Sequence, residues 1–173
     1  MAQSFRDTLD EFLDQTVDFT GEILSTKLEL VPECETKGTI IAVTLRKYFN
    51  EDEGEWRANV VVMFLCTDPK IREETELEEP KAQLTIRLDT MKSWDGNGNP
   101  PLERGKNKNI GLARLLEALQ MNDGRKWKWS QFLHEVLWIR TAKPYNEQSS
   151  YADVAMVGNK EDDVKRPTRT ARR

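Results

Sequence analysis

Two neighbouring runs, 39–49 (TIIAVTLRKYF) and 56–66 (WRANVVVMFLC), constrain this chain more than any other feature. Both are dense in β-branched and aromatic residues, which pack well on a pleated, half-buried surface. The polar stretch NEDEGE, with Gly54, separates them, so the pair predicts a hairpin with a slightly long loop. A third run, 82–91, alternates cleanly. Leu84, Ile86 and Leu88 face one way there, and Thr85, Arg87 and Asp89 the other.

The segments that follow change character. Residues 92–108 form a long irregular stretch with DGNGN, Pro100-Pro101 and Gly105, longer than an idle connector needs to be. Asn109 is placed to cap a helix whose apolar stripe is Ile110, Leu112, Leu115, Leu116 and Leu119, with Asp123-Gly124 as its stop. Ser130 is read as the start of a single turn, QFLH. Two more strands, 135–143 and 150–157, flank a Pro144-centred turn. At the other end, Ser4 with Asp7 resembles a capping signal for a short amphipathic helix over 5–14. Residues 26–31 alternate briefly, as an edge strand or a lead-in would.

The expected fold is therefore mainly β with helices (α+β). Three strands, a helix and two strands is the element order of an OB-fold, a five-stranded partly open barrel whose helix closes one end. A β-sandwich with a helical crossover gives a similar string. The expected organisation is an acidic N-terminal arm with the short helix (1–37), an OB-like barrel domain (38–158) and a disordered basic C-terminal tail (159–173).

Charge follows the same division. Overall, 26 Lys and Arg stand against 30 Asp and Glu, but they are segregated. Residues 1–37 hold nine acids against three bases, and Glu73, Glu74, Glu76, Glu78 and Glu79 make a second acidic knot. Residues 104–128 hold seven bases against two acids, and the last ten residues carry five bases and no acid. A local positive field attracts a polyanion even where the whole-chain sum is negative.

Several kinds of chemistry fail on residue type. No apolar run approaches the roughly 20 residues of a membrane span, and no secretory leader is read at the start. Cys34 and Cys66 lie far apart without a CxxC pair, and His134 is the single histidine. The DGNGN stretch places Pro100 and Lys106 where a calcium loop needs Gly and Glu. Gly105-Lys106 lacks the rest of a phosphate loop. The carboxylates sit in acidic runs rather than in settings that raise a pKa. No enzyme, metal or cofactor is expected, and the chain reads as soluble and cytoplasmic.

What remains is a mixture suited to single-stranded nucleic acid, in which flat rings stack on bases and cations follow phosphates. Arg125 precedes Lys126-Trp127-Lys128-Trp129, which in extended form puts both indoles on one face and both ammonium groups on the other. Packing competes for both rings, since Trp129 can act as a staple onto the next turn. Arg46, Tyr48 and Arg87 fall out of phase with the apolar set, and with Arg57 are expected on the exposed face of the first three strands. Trp94, Arg104, Lys106 and Lys108 are expected to fold over that face from the long loop. Arg140, Lys143 and Tyr145 approach it from the fourth strand and its turn. The acidic hairpin loop from Asn50 to Glu55 opposes a phosphate path at that rim.

Four segments, LTIRLDT, GKNKNIGLARLLEAL, KWKW and VLWIRTAKPYNEQSSYADVAMV, give the region 84–157 a resemblance to small phage-encoded single-stranded DNA-binding proteins. It covers somewhat under half the chain and rests on texture. It implies an OB-like barrel, a role in phage replication or recombination, and the host cytoplasm as location. The basic end Thr170-Ala171-Arg172-Arg173 departs from the acidic tip common in such proteins.

The expected function is non-enzymatic binding of single-stranded DNA, with phage replication or recombination proteins as further partners, no membrane, and homo-oligomerisation left open. The alternative is a protein-interaction or virion-associated OB-like module whose basic tail touches DNA or an acidic partner.

Overall fold

The computed structural model describes residues 29–166. The helix expected over 5–14 and residues 167–173 of the expected tail lie outside the described residues. Of the stretch 26–31, residues 29–31 are not in a strand.

Five strands dominate, with few helices: β1 (Glu35–Asn50), β2 (Glu55–Cys66), β3 (Lys81–Leu88), β4 (Val136–Ala142) and β5 (Ala152–Gly158). They hydrogen-bond in the order β1-β2-β3-β5-β4, and β1 also pairs with β4, so the sheet closes on itself. One strand reaches both neighbours because β1 is long and bent. Its start, from Glu35 to Thr39, pairs with β4, and from Gly38 to Asn50 it pairs with β2. A bulge between Ile40 and Ala42 shifts the register, so Ile40 and Val43 both turn inward and Ile41 stays exposed. Gly38 lies opposite both Cys66 and Leu137. A Cβ there would sit 2.9 Å from the Ile139 side chain and 3.1 Å from that of Phe64, so glycine lets the two sides meet.

Alternation then fills the interior. Ala58, Val60, Val62, Phe64 and Cys66 of β2 turn inward beside Ala82, Ile86 and Leu88 of β3 and Leu137 and Ile139 of β4. Like Thr36 of β1, Thr141 of β4 is a buried polar residue. Its hydroxyl donates to the Pro32 carbonyl (2.5 Å) and accepts from the Cys34 N–H (2.9 Å), tying the chain ahead of β1 to β4.

Among the described residues, three helices decorate the sheet. α1 (Pro69–Thr75) was not expected. It starts where Asp68 accepts from the Lys70 N–H (3.0 Å) and Pro69 takes the first helical position, and it buries Ile71 and Thr75. The acidic knot thus begins on a helix, with its glutamates outward. α2 (Ile110–Ala118) matches the expected helix between the third and fourth strands, burying Leu112, Leu115, Leu116 and Ala118. Its ends correct the sequence reading. Asn109 makes no side-chain cap. Instead its amide donates to the carbonyls of Asp89 and Glu103 and accepts from the Asp89 N–H, which pins both ends of the long loop. The helix stops before Asp123-Gly124, because Gln120 takes a left-handed conformation (φ 56°) and Met121 N–H returns to the Leu116 carbonyl.

A 3₁₀ turn spans Trp129–Phe132, with Ser130 inside it and Lys128 at its head, where the Lys128 N–H donates to the Gln131 side chain (2.7 Å). The expected disorder from residue 159 is overturned as far as Arg166. α3 (Glu161–Val164) buries Val164 completely, Arg140 donates to the Val164 carbonyl, and Arg166 pairs with Glu33. Gly158 admits this helix, since a Cβ there would collide with Asp163 at 2.4 Å.

Candidate functional site

Strand register decides which polar side chains meet. On the outer face of β1, β2 and β3, Arg46 lies opposite Asn59 and Asn59 opposite Arg87, one row across three strands. Strand spacing of about 4.8 Å puts the two arginine backbones about 10 Å apart. Tyr48 lies opposite Arg57 one pleat further along, and Val61 opposite Thr85 one pleat back. The expected quartet Arg46, Tyr48, Arg57 and Arg87 is thus brought to one surface. Asn59 was missed, although it is out of phase in an apolar run. Its side-chain oxygen is buried without a hydrogen-bond partner among the described residues.

The four are not equivalent. Glu53 and Glu55 both hold the Arg57 guanidinium, Glu55 at 3.0 Å, and Glu55 lies 3.9 Å from Lys92. The hydrogen bond from Arg57 holds the Glu53 carboxyl below the usual carboxylate range, with Arg87 and Lys92 adding to the effect. The acidic hairpin loop therefore neutralises Arg57. Arg46 and Arg87 are exposed and form no salt bridge among the described residues.

Beside β3, the turn between β4 and β5 borders a hollow of about 330 Å³ lined by Gln83, Thr85, Tyr145, Ser149 and Asp153 among others. The Tyr145 N–H donates to Asp153 (2.8 Å), and its ring is 99 % exposed. Gln83 donates to Ser149 (3.1 Å) and Asp153 (3.3 Å), which ties the turn to the sheet. An exposed ring thus shares a hollow with Thr85, one pleat back from Arg87 on β3.

The tryptophans are placed otherwise. Trp94 is 7 % exposed, its ring N–H donates to the Asn97 carbonyl (2.7 Å), and Lys47 lies over the ring while binding the Gly96 and Gly98 carbonyls. Gly96 is required there, since a Cβ would meet the Trp56 ring at 2.5 Å. This removes Trp94 from any stacking surface. Trp127 and Trp129 do share a face, edge to face at 4.8 Å, but that face is Phe132: Trp127 stacks on it at 5.3 Å and Trp129 meets it at 5.5 Å. Both are half-buried. The packing alternative therefore describes these two rings.

The remaining candidates divide by pairing. Arg125 is bound by Asp123, and Lys108 by Glu103 at 2.6 Å. Arg140 is half-buried and holds α3. Arg104, Lys106, Lys126, Lys128 and Lys143 are exposed, without an ion pair among the described residues.

Comparison of the chain with protein-family models, with curated proteins and with solved structures finds no match in any of the three.

Burial pushes the Cys66 thiol up to about 12 and raises Cys34 too, so neither is a thiolate near neutral pH. Among the described residues no group of three or more His, Cys, Asp and Glu is placed to hold a metal ion. His134 is exposed, and its backbone N–H braces the β1 bulge through the Ile40 carbonyl (2.8 Å). No described helix is long and apolar enough to cross a membrane.

Proposed function

We propose that the closed sheet is an OB-like barrel that binds single-stranded DNA, without catalysis, across the outer face of β1, β2 and β3. The observation that carries this reading is the Arg46–Asn59–Arg87 row, with the exposed ring of Tyr48 one pleat along and that of Tyr145 at the hollow that Thr85 borders. Guanidinium groups meet phosphates and flat rings meet bases, the two elements of sequence-tolerant single-strand binding. The strand order β1-β2-β3-β5-β4 supports an OB-like assignment, and the outer face around β2 and β3 is where such barrels take oligonucleotides. The phage-protein resemblance supports a place in replication or recombination.

A labelled oligonucleotide titrated at two ionic strengths tests this. With four phosphates engaged, log K falls by about 2.8 per decade of salt, so affinity drops about 50-fold between 50 and 200 mM. A duplex of equal length should bind less well. Absence of binding at 50 mM salt ends the proposal.

The alternative, a protein-interaction module whose basic tail contacts DNA, draws support from the packing of Trp127 and Trp129 on Phe132. Because residues up to Arg166 are packed, its test is truncation after Arg166. Lost nucleic-acid affinity on truncation favours the tail, and retained affinity favours the sheet.

The acidic hairpin loop gives an effect of opposite sign. In Glu53→Gln with Glu55→Gln, Arg57 is released to a phosphate, and one extra contact is worth about 0.7 log units per decade of salt. Oligonucleotide affinity is expected to rise about eightfold at 50 mM, read by fluorescence anisotropy. Unchanged affinity would place Arg57 off the strand's path.

A further inference from the structure

We propose that the cleft between β3 and β5 takes one nucleotide of a bound strand, with its base inward and its phosphate on Arg87 and Arg114. The two strands are parallel and pair only at Ala82–Ala152 and Gln83–Asp153. A groove of about 610 Å³ is lined by both strands and by α2. Its walls include Leu84, Ile86, Ala118 and Val157, and its volume falls within the roughly 300–1,000 Å³ of small-molecule sites.

The lining carries both charge signs. Arg87 comes from β3 and Arg114 from α2, and neither forms a salt bridge among the described residues. Glu117 and Asp163 also line the groove. Asp163 accepts from the Lys160 N–H (2.8 Å) and Glu117 from the Asn122 amide (3.3 Å), which holds both carboxylates in place. A bare anion or an acidic peptide would be repelled by these carboxylates. A nucleotide suits both signs, because its phosphate takes the guanidinium forks and the amino groups of its base donate to fixed acceptors.

Continuity points the same way. Thr85 lines both this groove and the hollow beside Tyr145, and Arg87 belongs to the row across β1, β2 and β3. The inference rests on the reading of that face as a strand-binding surface, and it extends the path past the edge of β3.

Two variants of the full chain test it. Arg114→Ala removes the cation, and Ala155→Trp fills the groove from an exposed position on β5. Binding is measured to an oligodeoxycytidine of about 15 residues, near the upper site size of one such barrel. Each variant is expected to lose five- to tenfold in affinity, roughly one phosphate contact or one stacked base, with an unchanged melting temperature. Arg114→Ala also lowers the salt slope by about 0.7, whereas Ala155→Trp leaves it alone.

Wild-type affinity in Ala155→Trp overturns the proposal, and wild-type affinity in Arg114→Ala overturns the placement of the phosphate. If the unmodified chain binds no oligonucleotide, the reading of the outer face fails, and free deoxycytidine monophosphate decides the groove. Shifts of the Gly111, Ala155 and Gly158 amide resonances then support it, and their absence overturns it. Identical shifts with inorganic phosphate alone overturn the inward base.

Discussion

Phe132→Ala is expected to destabilise the protein by about 3–5 kcal/mol, the range for emptying a fully buried aromatic position. Phe132 is 0 % exposed and carries the stacked Trp127 ring and the edge-on Trp129 ring. For a unit of this size each kcal/mol lowers the melting temperature by about 3–5 °C, so a fall of about 9–25 °C should appear in calorimetry. The same substitution uncovers both indoles, and tryptophan emission of the folded variant should move to the red. The companion measurement concerns Trp127→Ala. A stacking platform would lose about 1–3 kcal/mol of binding per base, whereas a packed ring loses stability and leaves oligonucleotide affinity within about threefold. A binding loss beyond tenfold at an unchanged melting temperature would restore Trp127 to the binding surface.

The contrast between these tryptophans and the β-strands shows what the sequence could and could not reveal. A strand has period two, so Leu84, Ile86 and Leu88 announce their inward face and Thr85 and Arg87 their outward one without any tertiary knowledge. That periodicity made the sheet, the helix α2 and the outer position of Arg46, Tyr48 and Arg87 legible. Trp94 and Trp127 sit in irregular chain, where no period tells the inside from the outside. Their burial depends on Lys47, Asn97 and Phe132, all fixed by tertiary structure.

The strand segment that closes the sheet was hidden for a related reason. The pairing of Glu35–Thr39 with β4 joins residues about a hundred positions apart, and Glu35-Thr36-Lys37-Gly38 has little apolar density to mark it as strand. The short helices were masked by composition. α1 buries Ile71 and Thr75 among acids, and α3 buries Val164 alone, so neither offers a stripe. Asp68-Pro69 is the one start signal that the sequence carries for α1. Neutralisation of Arg57 by Glu53 was equally opaque, since it needs the hairpin loop to bring the two together.

The largest effect on binding is expected from Arg46→Ala with Arg87→Ala. Each arginine engaged with a phosphate contributes about 0.7 to the slope of log K against log salt, so the pair should lower the slope by about 1.4. Extrapolated from 1 M, this is a loss of about 60-fold at 50 mM salt and about tenfold at 200 mM. The shrinking penalty is itself diagnostic, since an effect produced by misfolding would not fade as counterions accumulate. Stability should move by no more than about 0.5 kcal/mol, because both side chains are exposed and neither holds a salt bridge among the described residues. Arg125→Ala serves as the control of equal charge. Its guanidinium is already bound by Asp123, so its removal should change affinity less than about twofold. Were Lys126→Ala with Lys128→Ala to cost more than the Arg46 and Arg87 pair, the strand would lie beside the Trp129–Phe132 turn, and the row across β1, β2 and β3 would be an ordinary solvated face.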